Sequence, residues 1–101
     1  MKMDYLNQLV SSLNTPVSMS NLSLNNRVVM APMTQQSSRK HIPSKTQIDH
    51  YGQRAKHGVG LIITEGVVIP HDSANGNFDV PLMYSEPALA GWRKVVNEVH
   101  Q

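Results

Sequence analysis

Hydrophobic and polar residues alternate along one early stretch of the chain and run together in two others. Residues 17–19 (VSM) and 22–24 (LSL) alternate on either side of Ser20 and Asn21, which predicts a short β-hairpin with one buried face. Residues 27–31 and 59–64 are largely continuous apolar runs. Such runs are typical of strands that are buried on both faces of a parallel sheet. The pattern therefore predicts a hairpin followed by two buried strands.

Two helices are predicted from their capping residues and from apolar spacing. Ser44 followed by Gln47 is a capping-box pattern, and Gly58 is a natural C-terminal stop for the helix that follows Ser44. Ser85 can cap a second helix with Pro87 in its first turn. The predicted inner faces are Ile48, Tyr51 and Ala55 on the first helix, and Leu89, Trp92, Val96 and Val99 on the second.

The predicted order of elements is hairpin, strand, helix, strand and helix. This order is the start of an α/β repeat. Residues 35–41 are a polar loop, and residues 70–84 form a long polar connection that contains Pro70, Gly76 and Pro81. Two parallel strands alone cannot make a well-covered sheet. We therefore expect residues 1–101 to be the N-terminal portion of one larger domain.

Composition narrows the class of protein. The 101 residues are 40% hydrophobic and 16% charged, as in ordinary globular chains, and the net charge is only +2. The nine Lys and Arg residues are scattered, so no nucleic-acid partner is expected. No apolar run is long enough to cross a membrane, and the absence of cysteine excludes a disulfide framework or a thiolate metal site in this stretch. A cytoplasmic protein fits these features best.

The candidate chemistry lies where the two predicted strands end. Ligands of parallel α/β folds bind at the carboxyl ends of the strands, and these ends lead into Ala31-Pro32-Met33-Thr34 and Thr64-Glu65-Gly66. Thr34 offers a hydroxyl group, Met33 a soft apolar surface, and Gly66 room for a flat ligand. The alternative is that Pro32 only terminates a strand and that Gly66 only serves a turn.

Three separated motifs resemble one known family. They are NRVVMAPMT (26–34), HYGQRAKHGVGLIITEG (50–66) and SEPALAGWRKVVNEVH (85–100), and the similarity runs from Val17 to His100. In order and spacing they resemble the old yellow enzyme family, the FMN-dependent NAD(P)H oxidoreductases and ene-reductases. The resemblance implies a TIM (β/α)8 barrel in which residues 17–24 are a hairpin that caps the barrel bottom. Because such barrels take roughly 250 residues, this chain would supply about a third or less.

The resemblance also implies which residues meet the cofactor. The segment Ala31-Pro32-Met33-Thr34 would line the FMN ring, with the Thr34 side chain at the carbonyl edge beside N5, and Gly66 would contact the same ring from the next strand. NAD(P)H would be the reductant and an activated alkene, quinone or similar small molecule the acceptor. The family's substrate-gripping pair and proton-donating tyrosine lie on later strands, so no catalytic residue is expected in this chain.

Several other residues leave alternatives open. Glu65 is either a general base at a strand end or a structural carboxylate. His50 and His57 lie about 10 Å apart along one helix, too far to share a metal ion, so no metal site is expected and a solvated helix face is the better interpretation. Trp92 is expected in the core.

A free chain of this length could also be a non-catalytic fragment that is stable only by association. The sequence does not identify the acceptor, the subfamily or the choice of NADH or NADPH. It also does not decide whether the protein is a homo-oligomer or has a downstream iron–sulfur domain.

Overall fold

The computed structural model describes residues 2–74 and 79–101. The elements in chain order are the helix α1 (Lys2–Leu13), the strands β1 (Val17–Met19), β2 (Leu22–Leu24) and β3 (Val29–Met30), the helix α2 (Lys45–Lys56), the strand β4 (Leu61–Ile62) and the helix α3 (Glu86–Val99). Two short 3-10 turns, Arg39–His41 and Asp72–Ala74, lie in the loops. Among the described residues, no helix has the length and apolar character that a bilayer crossing needs.

The predicted hairpin is confirmed. β1 and β2 pair antiparallel, with Val17 opposite Leu24 and Met19 opposite Leu22. Its apolar face is only partly buried, because Leu24 is buried whereas Met19 and Leu22 are both about half exposed. The expectation of one buried face is therefore wrong for the end of the hairpin near its turn, where the described residues provide no cover.

The parallel pairing of the two apolar strands is confirmed, with Val29 opposite Leu61 and Met30 opposite Ile62. Within the described chain only one face of the pair is buried: Met30 is 8% exposed, while Val29 and Ile63, on a face that no described element covers, are 44% and 47% exposed. Side chains alternate across a strand, and only the face that carries Met30 and Ile62 packs against the described helices.

The predicted start and stop of α2 are both confirmed. Ser44 accepts a hydrogen bond from the Gln47 amide, and the Gln47 side chain accepts one in return from the Ser44 amide. At the other end, Gly58 adopts a φ of 99°, a left-handed conformation that residues with a Cβ rarely adopt. Local capping chemistry therefore sets both ends of this helix.

The start of α3 is as predicted, with Ser85 accepting from the Ala88 amide and Pro87 in the first turn. The inner face differs from the prediction: of Leu89, Trp92, Val96 and Val99, only Trp92 is fully buried, and the buried set is Ala88, Gly91, Trp92 and Val95. The cause is a close approach to Pro43, since a Cβ built at Gly91 would lie 2.9 Å from the Pro43 Cδ atom. The small residues Ala88 and Gly91 therefore lie on the buried face of α3, and Val96 is about half exposed.

The core lies between the β3–β4 pair and the two helices. Met30, Tyr51, Trp92 and Val95 are its buried members. Trp92 also donates from its indole nitrogen to the Leu82 carbonyl at 2.8 Å, so the prediction that this residue belongs to the core is confirmed. The connection over residues 70–84 joins this body through a parallel bridge between Val68 and Leu82, and the predicted loop residue Gly76 lies outside the described residues.

Candidate functional site

Parallel pairing brings the carboxyl ends of β3 and β4 to the same edge of the sheet. The Gly60 amide donates to the Val28 carbonyl at 2.9 Å, and the Ile63 amide donates to the Met30 carbonyl at 3.1 Å. Residues 31–34 and 64–66 follow these bonds directly. The structure therefore places the two predicted site segments at neighbouring strand ends.

All four residues that follow β3 are exposed: Ala31, Pro32, Met33 and Thr34. Pro32 lies just beyond the last bond between the two strands, where a residue without an N–H interrupts nothing. The Gln35 side chain turns back and donates to the Met33 carbonyl at 2.9 Å. A thioether and a hydroxyl group are thus presented to the surroundings at this edge.

Gly66 is exposed beyond β4, and a Cβ built on it would meet no atom within 4 Å. Its backbone does not adopt the left-handed conformation that favours glycine. Position 66 is therefore a glycine for a reason other than its φ or crowding by the described residues. The open space in front of it fits the approach of a flat ring, as the resemblance implies for FMN.

Glu65, the residue before Gly66, is almost completely buried, with 2% of its surface exposed. Its Oε1 atom accepts from Gln47 Nε2 at 2.6 Å and from the Tyr51 hydroxyl at 3.0 Å. Its Oε2 atom accepts from the backbone amide of Gln35 at 3.2 Å. A buried carboxylate with both oxygens hydrogen-bonded holds its surroundings together, so the geometry favours a structural carboxylate over a general base.

Tyr51 links this carboxylate to the core. Its hydroxyl donates to Glu65 and also accepts from the Glu65 backbone amide at 3.0 Å. Burial raises the pKa of Tyr51 to about 12, with a further contribution from the Glu65 charge. The phenol therefore stays neutral at physiological pH and its two hydrogen bonds keep their directions.

Gln47 and Ser38 complete the cluster and were not identified as site residues from the sequence. Gln47 and Ser38 are fully buried, and the Gln47 Oε1 atom accepts from the Ser38 hydroxyl at 2.5 Å and from the Ser44 amide at 2.9 Å. The capping box identified one end of the Gln47 amide. The other end reaches Glu65, 18 positions further along the chain, which a local pattern does not reveal.

The two helix histidines lie in different environments. His57 is exposed, and its Nδ1 atom lies 2.8 Å from the Gln53 carbonyl oxygen. His50 is half-buried, its Nε2 atom has no hydrogen-bond partner within the described part of the chain, and desolvation lowers the pKa of His50. The prediction of a solvated face is therefore wrong for His50. Over residues 2–74 and 79–101 no group of three His, Cys, Asp or Glu residues is arranged to hold a metal ion.

The fold and the site together define a class: paired strand–helix units of a parallel α/β protein, with exposed residues at the carboxyl ends of the strands. Residues 12–101 match the model of the NADH:flavin oxidoreductase / NADH oxidase family, and the chain belongs to this family. The resemblance to the old yellow enzymes is thereby confirmed.

Individual relatives agree with this assignment. A putative 12-oxophytodienoate reductase 2 of Oryza sativa subsp. japonica is 39% identical over 87 residues, which cover 86% of this chain and 23% of that relative. Morphinone reductase in complex with tetrahydroNAD is 40% identical, with a TM-score of 0.80 over 88% of this chain and 24% of the other. An old yellow enzyme homologue from Zymomonas mobilis is 31% identical, with a TM-score of 0.79 over 88% of this chain and 24% of its own.

The chain spans about a quarter of the length of the relatives that it matches. The structural neighbours are TIM barrels of the old yellow enzyme family, and the described strand–helix units match a portion of such a barrel. The α/β class predicted from the sequence is therefore confirmed.

Proposed function

We propose that residues 1–101 form the N-terminal portion of a single FMN-binding TIM-barrel domain, in which β1 and β2 cap the barrel bottom. The contacts of Asn26, two residues beyond the hairpin, support this arrangement. Its side chain donates to the Gly58 carbonyl at 2.5 Å and accepts from the Val28 amide at 2.9 Å. These bonds join the segment directly after the hairpin to the amino ends of both strands, opposite to the candidate site.

The proposed activity is that of an FMN-dependent NAD(P)H oxidoreductase. FMN held by residues 31–34 and Gly66 would supply hydride transfer between NAD(P)H and an activated alkene, a quinone or a similar small acceptor. Thr34 would donate a hydrogen bond to a flavin carbonyl, Ala31 would offer its backbone, and Pro32 and Met33 would shape the surface under the ring. Gly66 would admit the ring from the second strand.

The observation that carries the proposal is the parallel pairing of β3 and β4, which brings residues 31–34 and 64–66 to the carboxyl ends of neighbouring strands. Gly66 has no side chain, so a flat ligand can come close to the backbone there. Family membership identifies the class of ligand. The proposal retains the cytoplasmic location expected from the sequence.

The test is a flavin analysis of the full-length protein that carries this chain. Purified protein should contain one FMN per chain, identified by mass after release. The visible flavin absorption should bleach with NADH or NADPH without oxygen and return when 2-cyclohexenone, an activated alkene, is added. A folded protein that binds no FMN would contradict the proposal.

The second candidate is a non-catalytic fragment that is stable only by association. The exposed apolar side chains at Val28, Val29 and Ile63 favour it for the 101-residue chain on its own. Such a chain is expected to self-associate or to lack cooperative unfolding, because uncovered strands expose edges and apolar faces. A monomer with a sharp cooperative melting transition would exclude this candidate.

A further inference from the structure

The hydrogen bonds around Glu65 have fixed directions, because backbone amides stand at the ends of the network. The Ser44 amide can only donate, so the Gln47 atom that it reaches is an oxygen and the other amide end must donate to Glu65. The Glu65 amide can only donate to the Tyr51 hydroxyl, whose own proton therefore points to Glu65 Oε1. With the Gln35 backbone amide, three donors thus converge on the Glu65 carboxylate, which only accepts.

One of these donors belongs to the segment that carries the candidate flavin contacts. The Gln35 amide, directly after Thr34, donates to Glu65 Oε2 at 3.2 Å. Gly66 directly follows Glu65 in the chain. A single buried side chain therefore connects the exposed end of β3 to the open position beyond β4.

The segment after Thr34 needs such a connection. Gln36 adopts a φ of 52°, a left-handed conformation that residues with a side chain rarely adopt. Such a conformation persists only where neighbouring contacts hold it. The Gln35 amide on Glu65 and the Ser38 hydroxyl on Gln47 hold the chain on either side of Gln36.

We infer that Glu65 is a positioning residue of the flavin site, whose carboxylate holds the Thr34 segment in register with Gly66. Glu65 does not touch the cofactor in this role. It acts through the Gln35 amide on one side and through the peptide bond to Gly66 on the other. The identity of the ligand rests on the function proposed above, whereas the connection itself is a property of the fold.

The decisive variant is Glu65→Gln in the full-length protein. Its amide oxygen can keep the two donors at the Oε1 position, but its NH2 group would then face the Gln35 N–H, donor against donor. Hydrogen exchange of the Gln35 amide in the flavin-free protein should become at least about tenfold faster. The FMN dissociation constant should rise about tenfold or more, and the absorption spectrum of the bound flavin should shift.

Two controls separate positioning from general loss of stability. Leu24→Ala removes a buried apolar side chain from β2 and leaves every hydrogen bond of Glu65 in place. Val95→Ala makes a cavity in the core cluster that also contains Tyr51, but it removes no hydrogen bond of Glu65. Both variants should be less stable than the wild type, yet both should keep slow Gln35 exchange and wild-type FMN affinity.

The outcomes are distinguishable. Wild-type FMN affinity and slow Gln35 exchange in Glu65→Gln, or equal losses in both controls, would overturn the inference. If Glu65→Gln does not fold, hydrogen exchange of the Gln35 amide is measured in the wild-type flavin-free protein instead. A Gln35 amide that exchanges there as fast as in a free peptide would also overturn the inference. A wild-type protein that binds no FMN but protects the Gln35 amide would contradict the proposed function and leave the connection through Glu65 intact.

Discussion

The two glycines at the ends of β4 have opposite surroundings. A Cβ built at Gly60, before the strand, would lie 2.5 Å from the Asn26 carbonyl oxygen and 2.6 Å from its Oδ1 atom. A Cβ built at Gly66, beyond the strand, would meet no atom within 4 Å. The described chain itself explains the first glycine, and nothing in it explains the second.

This contrast separates the two ends of the parallel strands by role. At the amino ends, Asn26 packs against Gly60 and bonds to the Gly58 carbonyl, so the residues there serve folding. At the carboxyl ends, exposed residues and an open glycine stand beside the buried carboxylate of Glu65. Barrel enzymes of this class bind their ligands at the carboxyl face.

The largest effect is expected at the amino end. Gly60→Ala should lower the free energy of unfolding of the full-length protein by about 3 kcal/mol, because the new methyl group meets the backbone of Asn26, which cannot turn away. Chemical denaturation followed by far-UV circular dichroism measures this loss. The fraction that remains folded should bind FMN as the wild type does.

Gly52→Ala is the matched control for that variant. Its Cβ would lie 2.6 Å from Cγ of Glu98, the middle of a flexible side chain that can move aside. The change also favours the interior of α2 by about 0.5–1 kcal/mol. A Gly52→Ala protein as unstable as Gly60→Ala would contradict the assignment of rigid packing to the amino ends alone.

The next effect is expected at the carboxyl end and in binding. Gly66→Val should raise the FMN dissociation constant about 10- to 100-fold, because the side chain crowds the ring, while the flavin-free protein keeps its stability within about 0.5 kcal/mol. Ala55→Val, on the half-buried face of α2, should leave FMN affinity unchanged. Fluorescence titration of FMN measures both constants. Equal affinities would show that Gly66 does not face the flavin.

A smaller effect is expected in the pH dependence of stability, which tests the hydrogen bonds between Tyr51 and Glu65. The pKa of Tyr51 is raised from 10.0 to about 12. Between these values the unfolded chain has released a proton that the folded chain retains, so stability falls as pH rises through this range. The unfolding midpoint of the wild type should therefore fall more steeply between about pH 10 and about pH 12 than that of Tyr51→Phe. Parallel slopes would mean that Tyr51 is not held neutral by burial.

The elements that the sequence predicted correctly depend on neighbouring residues. Alternation about Ser20 and Asn21 indicated the hairpin, and the box formed by Ser44 and Gln47 indicated the start of α2. The helix α1 was not predicted, although Leu6, Leu9 and Leu13 recur at helical spacing. A test of 3.6-residue periodicity would have found it.

The features that the sequence did not predict depend on contacts between distant residues. The inner face of α3 is set by the approach of Gly91 to Pro43, and hydrophobicity alone favoured Val96 over Ala88. The cluster around Glu65 joins residues 9 to 30 positions apart. Ser38 lies in a loop and Gln47 in a helix cap, and no local sequence pattern predicts that they form hydrogen bonds in the cluster around Glu65.

The most direct test of the central claim, that the end of β3 contacts the flavin, is the midpoint potential of Thr34→Ala. A hydroxyl that donates to the flavin carbonyl stabilises the reduced, more negative ring by on the order of 1 kcal/mol more than the oxidised ring. Its loss should lower the potential by roughly 20–30 mV and slow hydride uptake from NAD(P)H, with delivery to the acceptor unchanged or faster. Thr15→Ala, at the amino end, should leave the potential unchanged. A Thr34→Ala protein with wild-type potential and unchanged half-reactions would contradict the account.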